Sequence, residues 1–165
     1  MPFIDAFLPE YDHEMKTTRS LLERVPMDKG SWKPHPKSTS LGVLASHLAN
    51  LAGYGALVAT SEEINFAARG SQFVPPVYDT VEKLLQAFDD NVKKTREAVM
   101  ALSEHDLRGP WSLKNGDVTI FTLPRSATFR TFMMNHMIHH RGQLSVYLRE
   151  NNVPLPSIYG PTADM

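Results

Sequence analysis

Val81-Glu82-Lys83-Leu84-Leu85-Gln86-Ala87-Phe88-Asp89-Asp90-Asn91-Val92 opens a segment that continues to Leu102 and decides the fold class. Val81, Leu84, Leu85, Phe88, Val92, Val99 and Leu102 recur at helical spacing and form one long apolar stripe. Asp89, Asp90, Lys93, Lys94 and Arg96 read as the solvated face, and Asp79-Thr80 supplies the cap. This is helix three. Working outward, Ser38-Thr39-Ser40 offers N-cap residues for helix two. That helix carries Leu44, His47, Leu48, Leu51, Tyr54 and Val58 and is expected to run to about Ala68, where Gly70 and Pro75-Pro76 stop it. Gly53 and Gly55 lower its helix propensity but let a neighbour come close. Before it, Phe7, Tyr11, Met15, Thr18, Leu22 and Val25 mark helix one, from Phe3 to Val25.

Beyond helix three, Trp111–Lys114 and Val118–Phe121 flank Asn115-Gly116-Asp117, a tight-turn signal that predicts a short β-hairpin. Helix four begins near Pro124 and reaches about Asn151, before a tail punctuated by Pro154, Pro156 and Pro161. Four amphipathic segments and one hairpin predict an all-α four-helix bundle, with the small β-hairpin between helices three and four. The long connections leave either an up-down-up-down or a crossover order open.

The 165 residues fit one domain, 1–165. A formal charge of -1 gives no broad attraction to phosphate backbones or anionic membranes, so neither nucleic acid nor a membrane is expected as a partner. No apolar run reads as long enough to span a bilayer, and the N-terminus lacks the pattern of a secretory signal, which gives a cytoplasmic expectation. There is no cysteine, so a metal site must be built from imidazole, carboxylate and water. The seven histidines become the residues to follow.

His136 and His140 stand four apart in Asn135-His136-Met137-Ile138-His139-His140-Arg141-Gly142-Gln143, about 40° apart around a helix, and can chelate one ion. His139 competes as the partner. The stripe of Phe129, Met133, Leu144 and Tyr147 favours His140 and leaves His139 at the rim. His47 lies on the apolar stripe of helix two, between Leu44 and Leu51. A lone histidine in that setting is more often a hydrogen-bonded core residue, whereas the i, i+4 pair points more strongly to a metal. Three imidazoles with no fourth protein ligand leave positions open for water or substrate. Such ligands suit zinc, nickel, iron or copper.

Glu14 falls on the stripe of helix one and is a candidate base or orienting group, although a carboxylate reaching solvent near a helix end, or one paired with an arginine, is the plainer reading. Arg141 reads as surface or interface, and His13, His35 and His105 as solvent residues.

Trp32-Lys33-Pro34, Ser38-Thr39-Ser40-Leu41-Gly42, His47, His136-xxx-His140-Arg141-Gly142-Gln143-Leu144 and the closing Pro154-Leu155-Pro156-Ser157-Ile158-Tyr159-Gly160-Pro161 together resemble the DinB-like or YfiT-like family. The resemblance implies an up-down-down-up four-helix bundle whose metal ligands are His47, His136 and His140. It also implies a divalent transition metal, zinc or nickel first and iron next, and a homodimer. The function expected from it is a metal-dependent enzyme acting on a small molecule, as a thiol-dependent S-transferase using a low-molecular-weight thiol, or as a hydrolase. The alternative is a non-catalytic metal or small-ligand binding protein of the stress response.

Overall fold

The structure is a computed structural model that describes residues 2–69 and 74–164. Helix α1 spans Phe3–Leu22, and a 3-10 turn, Met27–Lys29, follows it. Helix two of the sequence reading is two helices, α2 (Leu41–Leu51) and α3 (Tyr54–Thr60), and it does not reach Ala68. Helix α4 spans Val81–Met100, capped as expected by Thr80, whose hydroxyl accepts from the Lys83 backbone N–H. A short helix not anticipated from sequence, α5 (Glu104–Arg108), begins in a capping box between Ser103 and Asp106.

The break after α2 has a physical cause. The Thr95 hydroxyl, from α4, donates to the Ala52 carbonyl at 2.5 Å and accepts from the Ala56 N–H at 3.0 Å. Asn91 Nδ2 donates to the Ala49 carbonyl. Two polar side chains of α4 thus satisfy backbone groups that an unbroken helix would pair internally. Gly55 permits the approach, since a Cβ there would collide with Thr95 Cγ2. At the far end of α3, Arg125 holds the carbonyls of Val58 (2.8 Å) and Ser61 (2.9 Å), a cation on the last turn that ends the helix.

After α3 the chain enters a strand where helix was expected. Strand β1 (Glu63–Asn65) pairs in parallel with β2 (Pro110–Asn115), which pairs antiparallel with β3 (Val118–Pro124). The anticipated hairpin is therefore present, but inside a three-stranded sheet of order β1-β2-β3. Gly116, at φ +63°, forms the turn, and the Asn65 side chain accepts from its N–H and donates to its carbonyl, so β1 clasps the hairpin tip. The expected stop at Gly70 lies outside the described residues.

The last helical segment begins after Pro124 as α6 (Arg125–Thr128), passes through a π-helical turn (Phe129–Met134) and continues as α7 (Asn135–Glu150). Phe3, Phe7, Tyr11 and Phe129 stack between α1 and this segment, with Phe7 and Phe129 ring centroids 5.6 Å apart. Leu44, Leu48 and Leu51 of α2 and Leu84, Phe88 and Val99 of α4 complete the centre of the core.

Leu41–Thr60 does meet the length and composition of a membrane-crossing segment, contrary to the sequence reading. Its residues are mostly buried inside the protein and divided between α2 and α3, so this apolarity is the core's.

Candidate metal centre

His47 comes from α2, where Leu44, Leu48 and Leu51 anchor the helix in the core and leave the imidazole half-buried at the edge of that stripe. On α7, Met137, Arg141, Leu144 and Leu148 form the buried stripe. His136 and His140 lie one position earlier, half-buried, and face His47 across the gap between the helices. The ring centroids stand 4.7 Å apart for His47–His140, 5.3 Å for His47–His136 and 4.7 Å for His136–His140.

The three rings converge through their nitrogens. His136 Nε2 is 3.5 Å from His47 Nε2 and 2.9 Å from His140 Nε2. One ligand nitrogen from each residue lies within 4.8 Å of the others. Three nitrogens each 2.0–2.1 Å from a tetrahedral ion stand about 3.3 Å apart, so the cluster fits a divalent metal with little adjustment. Among the described residues no other histidine or carboxylate joins this group.

Protonation suits the same role. Burial, with the charges of His140 and His136 adding to it, pushes His47 down to about 4. His136 is lowered by burial and then by His140. His140 is lowered by burial, opposed by its hydrogen bond to Gln143. Neutral imidazoles at pH 7 are the form that ligates metal. Gln143 Oε1 lies 2.7 Å from His140 Nδ1 and its Nε2 lies 3.1 Å from His139 Nε2. The amide oxygen can only accept, so His140 carries its proton on Nδ1 and directs the Nε2 lone pair inward.

The DinB family model matches residues 4–164. The chain belongs to the DinB family. A DinB-like protein from Bacillus cereus ATCC 10987 superposes with a TM-score of 0.72, covering 96% of this chain and all of that one at 22% identity. The DinB-like protein YjoA of Bacillus subtilis gives 0.69, covering 96% of this chain and 98% of its own at 22% identity. The Bacillus subtilis (strain 168) protein YrdA, described as uncharacterized, is 23% identical over 98% of this chain and 90% of its own length. At these identities the two solved structures speak for the fold. Within this DinB fold, the sites singled out in the sequence separate cleanly.

His47, His136 and His140 are brought together, and His139 sits exposed on the rim. His13, His35 and His105 are exposed and apart from the cluster. Glu14 is buried but turned elsewhere: its carboxylate pairs with Arg141 Nη2 at 2.5 Å and accepts from the Tyr159 hydroxyl at 3.0 Å. Arg141 is only 1% exposed, which corrects its reading as a surface residue. It also donates through Nη1 to the Glu14 carbonyl and to Thr18 Oγ1. The signal for its burial lay in its spacing from Met137, Leu144 and Leu148. A cavity of about 620 Å³ opens on His47 and His140, and a smaller cleft of about 290 Å³, between Phe121, Leu123 and Phe132, reaches His136.

Proposed function

We propose that this DinB-family protein is a metal-dependent enzyme that holds one divalent ion through His47, His136 and His140 and acts on a small molecule bound in the adjoining cavity. The observation that carries the reading is the convergence of three Nε2 atoms beside a cavity of ligand size, with no fourth protein donor among the described residues. An ion there supplies Lewis acidity toward water or a low-molecular-weight thiol, which makes hydrolysis or thiol S-transfer the reaction class. The protein's own share is to keep three imidazoles neutral, fix the His140 tautomer through Gln143, and wall off the site with the core helices. The imidazole donors suit zinc, nickel, iron or copper alike, and the preference for zinc or nickel, with iron next, rests on family likeness. The up-down-down-up bundle and homodimeric assembly expected above belong to the same proposal and rest on family likeness, and the cytoplasmic setting rests on the sequence reading alone.

The test begins with elemental analysis of untagged protein prepared without nickel chromatography. One equivalent of transition metal is expected, and its loss in His140→Ala. Turnover of p-nitrophenyl acetate, and of chlorodinitrobenzene with glutathione, bacillithiol or mycothiol, is then compared with and without metal. Metal-dependent turnover in either assay supports the reading, and binding without any turnover reduces the protein to a metal-binding one. Absence of metal uptake would remove the proposal altogether.

A further inference from the structure

The cavity beside the histidines is built from two unlike sides. One is apolar: Val43, Leu44, Val74, Pro75, Pro76 and Val77. The other is lined by the hydroxyl-bearing residues Ser38, Thr39 and Tyr147. Val43, Val74 and Val77 are among the exposed large hydrophobic side chains, 41, 77 and 57% open, so the apolar side presents uncovered surface at the mouth of the cavity.

That wall is held in place. Asn50 Nδ2 donates to the Pro76 carbonyl at 2.9 Å, the Tyr78 N–H donates to Ser46 Oγ at 2.9 Å, and the Tyr78 hydroxyl donates to Asn50 Oδ1 at 2.9 Å. Three bonds tie the Pro75–Tyr78 stretch to α2, so the cavity is preformed. Asn50 and Gln143 each hold the amide oxygen in one hydrogen bond and the amide nitrogen in another. Among the thirteen described lining residues none is Lys, Arg, Asp or Glu. Away from the three histidines, an anionic group drawn into this space would lose water with no cationic side chain to replace it, whereas an apolar body gains by covering the valines and prolines.

We propose that the cavity selects an uncharged amphiphile: a compound whose polar head reaches the histidines, whose apolar body lies on the Val43–Val77 wall, and whose remaining polar group meets the Ser38 and Thr39 hydroxyls. This names the substrate class of the proposed metal site and rests on that reading for the placement of the head. It sets neutral compounds ahead of the carboxylate-bearing ones that a cation-lined site would take.

The experiment uses hydroxamates as metal-seeking probes on zinc-loaded protein: acetohydroxamate, octanohydroxamate and the monohydroxamate of suberic acid, which has the same chain ending in a carboxylate. Each methylene laid on the wall is expected to raise affinity about fourfold. Octanohydroxamate should therefore bind at least tenfold tighter than acetohydroxamate, and the suberic probe at least tenfold weaker than octanohydroxamate. Val77→Asp, and separately Val43→Asp, should erase the advantage of the octyl chain while zinc affinity is unchanged. Equal binding of the three probes, or preference for the carboxylate, would overturn the proposal. So would a Val77→Asp effect on oligomeric state with ligand affinity intact, because the wall would then belong to a second copy. Zinc titration is scored separately: if zinc does not bind, the metal reading fails, and the substrate class is decided on metal-free protein. There hexanol, and not hexanoate, should shift the methyl resonances of Val43 and Val77, and the reverse would sink it.

Discussion

Gln143 touches two histidines at once. Its amide oxygen accepts from His140 Nδ1–H and its amide nitrogen donates to His139 Nε2, so one side chain fixes the tautomer of an inward histidine and anchors itself on an outward one. Gln143→Leu should weaken zinc binding ten- to a hundredfold, while Gln143→Glu, which keeps the acceptor, should retain it. Competition against a zinc indicator reads both, and equal affinities in wild type and Gln143→Leu would remove the orienting role. The neighbouring Arg141 shows what residue-level reading missed. Centring the inward face of the last helix on His136 and His140 pushed Arg141 outward, yet it is spaced as Met137, Leu144 and Leu148 are, and lies in the core with them. A charged residue on a buried stripe needs a partner from elsewhere in the chain. Glu14, noticed as a carboxylate on an apolar face, was that partner, but nothing in either helix alone joins them.

Among the elements, local chemistry was legible and distant pairing was not. The Thr80 cap, the Gly116 turn and the helical stripes are encoded within a few residues of where they act. Strand β1 is three residues long and owes its existence to β2, almost fifty residues later, so no periodicity announces it. The π-helical turn before His136 has no residue signature either. Gly53 and Gly55 did foretell a close neighbour, which is α4. Thr95→Val keeps the shape of that neighbour but strands the Ala52 carbonyl and the Ala56 N–H. The expected loss is about 2 kcal/mol in urea unfolding. A loss below about 0.5 kcal/mol would mean that the helix break does not depend on Thr95.

The tail is held by a different kind of contact. Asp164 receives hydrogen bonds from Arg149 of α7 and from the Leu155 N–H. The Arg149 hydrogen bonds first, and then that of Leu155, hold its carboxyl down at about 2. Because the folded value is depressed, this contact contributes fully above the ordinary value near 3.8 and is lost as pH falls through about 2. An NMR titration of the Asp164 carboxyl should show its midpoint near 2 in wild type and shifted back toward 3.8 in Arg149→Ala. A wild-type midpoint at the ordinary value would show that the tail is free at that end.

For the whole molecule, the histidine cluster is a junction between α2 and α7, two elements that also meet in the core. Periodicity could place His47 on one inward face and His136 and His140 on another. Which faces meet depends on the order in which the helices pack, and only the family resemblance supplied that pairing. The packing would also make the proposed metal a fold-level ligand, because an ion bound to both helices would recognise the folded chain and not the unfolded one. At a free zinc concentration of one hundred times Kd, the gain is about 2.7 kcal/mol. For a chain of this size that raises the melting temperature by roughly 5–10 °C. Chelation with EDTA should reverse the rise, and His140→Ala should abolish it while leaving the metal-free melting temperature close to that of the wild type. If the rise persisted in His140→Ala, the zinc would be binding elsewhere. If His47→Ala alone kept it, the ion would sit on α7 without bridging to α2, and the junction would not be a metal centre.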